Sequence, residues 1–434
     1  MCIGTGVLAI PFAATEGGLI FHVLGTGLLF LWNYHSVKLL IQSEQCIDLA
    51  LKKKVIASFS HLESQDSLST SSSTNDSCLR TTEHQVGPQQ STFSKIAAEA
   101  FGSTGMHAVD CSMIFLMFGI IIAYEDAVLG FMEQTEISTG SVRMDALCLI
   151  IIMIPILLLP SYESAAKISA LGNWLIFIVF SVIGYYGIQA NGLEGFHKLT
   201  SRSSISMWPR SITSFSKWFG IVVFSNGIVP FTYELKESIE EPRLMMVATR
   251  RSSWIVFITY SLIGCIISLV FVSGIQSDVI SCLPQVGYLP AIIRISMAIV
   301  VLTSLPLTII PLGMLIHSKV TAILNTADAP QGANEAFASR LIMASICAII
   351  SVEVPNFVYV VSFIGCFCVA FISFVYPPML HMTSIYKFCS VEDRMSKTRL
   401  LIYDIVLIVF GLIVVALTSV LTFLGMIEQI QNKR

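Results

Sequence analysis

Two short stretches of this chain decide its fold: Gly4-Thr5-Gly6-Val7-Leu8-Ala9-Ile10-Pro11 and Phe224-Ser225-Asn226-Gly227-Ile228-Val229-Pro230. Each puts glycine, a small polar residue and a proline inside an apolar run that is otherwise typical of a membrane-spanning helix. Backbone groups without hydrogen bonds are costly in a bilayer, so such interruptions persist only where they line a cavity or bind something. Two interruptions in corresponding positions of two halves indicate the binding site of a secondary transporter, and we expect a small solute to bind there.

The composition of the chain is that of a polytopic membrane protein. Of its 434 residues, 54% are hydrophobic and 12% are charged, whereas ordinary soluble domains carry about 25% charged residues. The mean hydropathy is +0.78. A net charge of −3 gives no reason to expect a nucleic-acid partner. The apolar runs predict an all-α fold with eleven spans, over residues 4–15, 18–46, 107–133, 144–161, 167–188, 211–233, 252–276, 288–317, 340–353, 357–382 and 400–426.

The lysines and arginines predict the orientation in the membrane. If the loop after the second span is cytoplasmic, that side holds about twice as many of them as the other side, which the positive-inside rule favours. The C-terminus would then lie outside the cytoplasm. Residues 57–92 are too polar to bury a core, so we expect a disordered cytoplasmic loop insert there. The sequence predicts an integral multi-pass protein and leaves open the plasma membrane or a lysosomal or vacuolar membrane.

The two interruptions offer complementary chemistry. In the first, freed amide groups lie beside the positive end of the following half-helix, an arrangement that suits a carboxylate. In the second, freed carbonyls can accept from an ammonium group or coordinate a cation. Together they suit a zwitterion such as an amino acid. The alternative is that the glycines merely let neighbouring helices pack closely.

These residues also resemble a known family. The run from Ile3 to Ala13 is similar to the first-helix signature of the amino acid/auxin permease family, in which G-[ST]-G lies within apolar residues that end in proline. Further similarities follow in the expected order over nearly the whole chain apart from the serine-rich insert: Phe101-Gly102, Leu159-Pro160-Ser161, Ala170-Leu171-Gly172-Asn173, Glu241-Pro242-Arg243, Arg294 with Pro306 and Pro311, Val354-Pro355-Asn356-Phe357 and Pro377-Pro378.

The resemblance implies an all-α polytopic membrane protein with a LeuT-like five-plus-five inverted repeat plus an eleventh helix. The chain, residues 1–434, would be a single transporter domain, with repeats at about 1–188 and 211–382 and the last helix at about 400–426. Its function would be ion-coupled transport of small neutral amino acids by alternating access. The expected partners are a small neutral amino acid and the lipid bilayer. The functional unit would be a monomer, with no cofactor besides the coupling ion, H⁺ or Na⁺.

The resemblance also implies which residues bind substrate. Backbone groups of the first interruption would bind the carboxylate, and the second would line the ammonium and side-chain part of the site. The candidates are Gly4, Thr5, Gly6, Phe224, Ser225, Asn226 and Gly227. Relative to the family, we expect the first helix to be truncated at its N-terminal half, which would normally supply cation ligands or a proton-linked histidine.

Three side chains are candidates for ion coupling: His35, Thr303 and Ser304. His35 lies late in the second span and would suit a proton switch if buried, or it is a helix-end residue in polar surroundings. In the sodium-coupled branch of the family, a hydroxyl lies near the position of Ser304. The alternative for Thr303 and Ser304 is hydrogen bonding to carbonyls of their own helix.

Other classes of function fit less well. A non-transporting amino acid sensor that signals through its cytoplasmic loops remains an alternative, and substrate flux would distinguish the two. An enzyme is not expected, since the sequence has no H-E-x-x-H and no G-x-S-x-G flanked as a nucleophile elbow. A nucleotide-driven pump is excluded within this chain, because no G-x-x-x-x-G-K-[ST] motif occurs.

Overall fold

The computed structural model describes residues 5–66, 91–158, 162–192, 196, 205–271, 275, 278–324, 333–353 and 357–433. Helices are the only regular elements in those ranges, and no strand occurs there, which confirms the all-α prediction. The α-helices are α1 (Ile10–Gly17), α2 (Leu19–Asp66), α3 (Thr92–Phe101), α4 (Ser103–Glu133), α5 (Val142–Leu157), α6 (Tyr162–Asn191), α7 (Ile212–Ser225), α8 (Thr232–Ser238), α9 (Met245–Phe271), α10 (Tyr288–Ser304), α11 (Pro306–Leu324), α12 (Ala333–Glu353), α13 (Phe357–Ile364), α14 (Tyr376–Phe388), α15 (Val391–Ser396) and α16 (Thr398–Lys433). Short 3₁₀ helices cover Thr5–Ala9, Val229–Phe231, Pro242–Leu244 and Val279–Cys282, and π-helical turns cover Gly365–Val369 and Phe371–Val375.

Eight helical segments in the described ranges are long and apolar enough to cross a membrane. They are Ser103–Glu133, Trp174–Asn191, Ile212–Ser238, Pro242–Phe271, Tyr288–Thr321, Asn334–Glu353, Phe357–Phe388 and Thr398–Glu428. The chain is therefore an integral multi-pass membrane protein. The three other predicted spans are also helical: a 3₁₀ turn followed by α1, the first part of the 48-residue α2, and the 16-residue α5.

The end of α2 differs from the sequence prediction. The helix continues to Asp66, so residues 57–66 are helical where the sequence predicts a disordered loop. Residues 67–90 of that predicted loop lie outside the described residues, and its last two residues, Ser91 and Thr92, are the N-cap and the first residue of a helix. A helix that the sequence analysis does not include, α3, begins after Ser91, whose hydroxyl accepts a hydrogen bond from the Ser94 amide at 3.2 Å. This N-cap explains where α3 starts.

A close crossing of backbones positions α7 in the fold. A Cβ atom on Gly365 would lie 1.9 Å from the Gly220 carbonyl oxygen, and one on Gly220 would lie 2.1 Å from the Ser362 carbonyl oxygen. These distances are too short for any side chain, so glycine at both positions allows the two backbones to touch. The crossing fixes α7 shortly before it ends at Ser225.

A buried hydrogen-bonded pair ties α1, α2, α7 and α9 together. The indole of Trp218 lies against Gly17 and Gly25, where added Cβ atoms would each come within 2.4 Å of it. Its N–H donates to Nδ1 of His22 at 3.1 Å, so the proton of this buried imidazole is on Nε2, which donates to the Tyr260 carbonyl at 3.3 Å. The pair therefore holds α7 against α1, α2 and α9.

Candidate functional site

The two interruptions meet in the structure. A Cβ atom on Gly6 would lie 2.4 Å from Oγ of Ser225 and 3.0 Å from its Cα, so the two backbones are in close contact. Residues Thr5–Ala9 form a 3₁₀ helix that leads into α1. Gly4 lies outside the described residues, and only the backbone of Thr5 is described. The first interruption therefore lies directly beside the end of α7.

The second interruption follows from local chemistry. After α7 ends at Ser225, the Gly227 N–H turns back to the Phe224 carbonyl at 3.1 Å. The chain resumes as the 3₁₀ helix Val229–Phe231 and then as α8. Pro230 has no N–H to donate, so the α-helical series of hydrogen bonds cannot continue through it. Glycine and proline together thus open the backbone at this point.

A cavity of about 140 Å³, which we name the central cavity, lies where the interruptions meet. Six of the ten predicted site residues line it: Gly6, Phe224, Ser225, Asn226, Gly227 and Ser304. The remaining lining residues are Phe30, Asn33, Leu116, Ile120, Tyr124, Ile228, Pro230, Phe231, Leu235, Ser253, Val256, Leu307, Thr308 and Val369. No charged side chain belongs to this described lining, so backbone groups and neutral polar side chains provide its polarity.

Side chains from two other helices bind the carbonyls that the second interruption frees. Nδ2 of Asn33, on α2, donates to the Asn226 carbonyl at 3.0 Å. The Tyr260 hydroxyl, on α9, donates to the Ser225 carbonyl at 3.1 Å. The Asn226 carbonyl also accepts from the Ile228 N–H at 2.7 Å, so both of its lone pairs are used, whereas the Ser225 carbonyl can still accept from a ligand. The neighbouring helices therefore stabilise the open backbone themselves.

Sequence reasoning missed Asn33 and Tyr260. For Asn33 a signal exists, because it is an amide side chain within an apolar run, and polar groups inside a membrane need a partner. Tyr260 offers no such signal, since its contact with Ser225 joins residues on different helices and follows only from their packing.

Thr303 and Ser304 end α10, just before Pro306 begins α11. Both hydroxyls donate to the Val300 carbonyl at 2.9 Å, which is the local bonding that the sequence analysis gave as the alternative. Ser304 lines the central cavity, and Thr303 is not part of its lining. Thr308, one turn further along, lines the same wall.

His35 lies away from the central cavity. Its ring packs edge-on against Tyr403 with 5.5 Å between centroids, and its buried Nε2 has no hydrogen-bond partner among the described residues. Asp404, which interacts electrostatically with His35, is hydrogen-bonded to His381, with 2.7 Å between Oδ2 and Nδ1, and both side chains are buried. His35 therefore belongs to a separate polar cluster between α2, α14 and α16, and its role in ion coupling stays a prediction.

Several apolar helices long enough to cross a membrane, and two interruptions that meet at a cavity, are typical of a membrane transporter. The family model for transmembrane amino acid transporter proteins matches residues 69–424, and the chain belongs to this family. The resemblance seen in the sequence motifs is thereby confirmed at the level of the family, which is one of transporters and not of enzymes. No individual curated protein matches the chain.

Proposed function

We propose that this chain is a secondary active transporter of small neutral amino acids that works by alternating access and is driven by H⁺ or Na⁺. The observation that carries this proposal is the contact between Gly6 and Ser225 at the wall of the central cavity. Backbone amides of the first interruption would bind the substrate carboxylate, and carbonyls of the second would bind its ammonium group.

The lining of the central cavity supports a neutral substrate with a short side chain. A charged side chain would lose its hydration there without gaining an opposite charge, since the described lining contains none. Phe224 and Phe231 take up space in a cavity of about 140 Å³. Ser253, Ser304 and Thr308 offer hydroxyl groups that would orient the substrate or, at Ser304, contribute an oxygen ligand to Na⁺.

The LeuT-like inverted repeat is part of the same proposal. The two interrupted helices would each open one half of the chain, at about residues 1–188 and 211–382. The packing of α1 on α7 supports this arrangement. In such a transporter the two interrupted helices bend around the substrate while the surrounding helices move less. α16 would be the eleventh helix, outside both repeats.

Uptake of labelled alanine into proteoliposomes tests the proposal. A proton gradient and a sodium gradient are imposed separately, and labelled arginine and glutamate are the charged controls. We expect alanine uptake above that of protein-free liposomes under at least one gradient, and no uptake of the charged amino acids. Binding of alanine without uptake under either gradient would contradict transport and favour a sensor. Uptake of arginine or glutamate in place of alanine would contradict the substrate class.

A further inference from the structure

A second cavity, of about 260 Å³, lies beside the later part of α4. Its lining includes four carboxylates, so we name it the acidic pocket: Asp126, Glu133, Asp145 and Asp278. The acidic pocket and the central cavity have no lining residue in common among the described residues. The chain therefore has a polar compartment besides the proposed substrate site.

Both cavities lie against α4. Tyr124 lines the central cavity and Asp126 lines the acidic pocket. Glu125 lies between them in sequence, and consecutive helical residues point about 100° apart around the axis. A movement of α4 at Glu125 would therefore shift side chains that line both cavities.

Glu125 is buried without a partner. Its exposed fraction is 0%, and neither carboxyl oxygen has a hydrogen-bond partner within the described part of the chain. An ionised carboxylate in such surroundings is strongly unfavourable, so the group is held as a neutral acid. It can release its proton only when water or a positive charge reaches it.

Charged groups on the helices packed against α4 do not neutralise Glu125. The titratable side chain that interacts with it is Cys347, on α12. The others are exposed, as Lys95 and Glu99 on α3 are, or have partners elsewhere. Lys319 pairs with Asp110 at the start of α4 and lies 3.4 Å from Nδ1 of His107. The remaining pairs are Arg294 with Gln134, Asp145 with Thr139, Arg340 with the Leu157 carbonyl, Glu353 with Arg143, and Tyr359 with Lys217.

We propose that Glu125 is a proton-binding site, loaded and unloaded through the acidic pocket, whose protonation state is coupled to the central cavity. This inference rests on the proposed function and assigns H⁺ as the coupling ion. In the loaded state one carboxyl oxygen holds the proton. On unloading, that O–H bond breaks, the proton passes to water in the acidic pocket, and a carboxylate remains.

The coupling would act through α4. A carboxylate at position 125 needs water or a counter-charge, so α4 must turn or water must enter beside it. Either change displaces Tyr124, which lines the central cavity one residue away. Substrate binding and proton binding would thus favour the same position of α4.

Glu125→Gln tests this inference, because glutamine keeps the size of the side chain and resembles the neutral acid. We expect gradient-driven accumulation of alanine to fall by roughly tenfold or more. Exchange of labelled for unlabelled alanine across the membrane needs no net proton movement and should stay near the wild-type rate. Glu136→Gln, at an exposed acid in the loop after α4, is the matched control and should keep both activities.

A second measurement records the pH change when alanine is added to purified protein in weakly buffered detergent solution. The measurement is made at alkaline pH, where part of the Glu125 carboxyls is ionised before alanine is added. Wild type and Glu136→Gln should then take up protons, and Glu125→Gln should not. If Glu125→Gln does not fold, Glu125→Asp is measured in its place, and we expect it to shift the pH profile of transport.

Three results would overturn the inference: proton-driven accumulation by Glu125→Gln at the wild-type level, wild-type transport driven by Na⁺ alone, or an unchanged pH profile in Glu125→Asp. The second of these leaves the proposed function standing. Absence of both uptake and exchange in wild type would instead overturn the proposed function.

Discussion

Two regions of this protein that look alike in sequence differ in structure. Both place glycine in an apolar span, at Gly220 in the middle of α7 and at Gly227 just after its end. At Gly220 the helix continues, and the glycine lets the backbone at Gly365 come into contact. At Gly227 the helix stops, and the freed carbonyls accept hydrogen bonds from Asn33 and Tyr260.

This difference teaches which glycines mark a binding site. A glycine in a membrane span indicates a site only where the series of backbone hydrogen bonds stops as well. From the sequence, close packing and an open backbone are alternative explanations for such a glycine, and α7 and the residues just after it contain one of each. Gly6 combines them, since it contacts Ser225 and also lines the central cavity.

The largest effect is expected at the crossing. Gly365→Ala would put a Cβ atom 1.9 Å from the Gly220 carbonyl oxygen, and this backbone cannot move aside as a side chain can. We expect the free energy of unfolding to fall by about 3 kcal/mol or more. Thermal unfolding in detergent measures the loss. Gly425→Ala is the control, because a Cβ atom there meets nothing within 4 Å. An equal melting temperature for both variants would contradict the close crossing.

The next effect is expected at the interruption, and it should alter transport. Asn33→Ala removes the hydrogen-bond donor to the Asn226 carbonyl and one wall of the central cavity. We expect a loss of about 1–3 kcal/mol, or about 5- to 150-fold in alanine uptake at low concentration. Asn191→Ala removes a similar bond, to the Val270 carbonyl, away from the cavity and should keep normal uptake. Similar losses in both variants would refute a specific role for the interruption.

The smallest effect concerns the pH dependence of stability and comes from Asp278, which lies outside both glycine regions. Burial raises the pKa of Asp278 from its ordinary 3.8 to about 6, although hydrogen bonds from Ile280 and Ser281 and the charge of Arg294 lower it. The folded chain therefore binds this proton more tightly than the unfolded chain does. The resulting stability is complete below pH 3.8 and is lost as the pH rises through about 6.

Asp278→Asn should flatten the dependence of the melting temperature on pH in this window. The side chain is half-buried, so water reduces the size of the effect. Thermal unfolding at a series of pH values measures it in wild type and variant. The same slope in both proteins would show that another group causes the pH dependence.

The sequence predicts what depends on neighbours along the chain. The apolar runs predict the helices, and glycine with proline predicts both interruptions, because each acts on its own backbone. The contacts of Asn33 with Asn226 and of Tyr260 with Ser225 join different helices. An amide within an apolar run marks Asn33 as a residue that needs a partner, but no local pattern reveals which partner either residue has.

Dependence on packing between helices also explains the other differences between the sequence predictions and the structure. α3 is a short helix outside the apolar runs, and the π-helical turns of the tenth span depend on how that span packs against α7. His35 has a suitable chemistry and position in the sequence. Packing nevertheless places it beside the hydrogen-bonded pair of His381 and Asp404, and it does not line the central cavity. Glu125 lies in a predicted span, but its complete burial follows only from the packing of the helices.

The central claim, that an amino acid binds where the interruptions meet, is tested most directly by thiol labelling. In a chain whose eleven native cysteines have been replaced, Thr308→Cys puts one thiol at the wall of the central cavity. A variant that keeps only the exposed native Cys111 is the control. Alanine should slow the labelling of Thr308→Cys in proportion to its occupancy and leave that of Cys111 unchanged. Equal labelling of Thr308→Cys with and without alanine, in a chain that transports alanine, would contradict the claim.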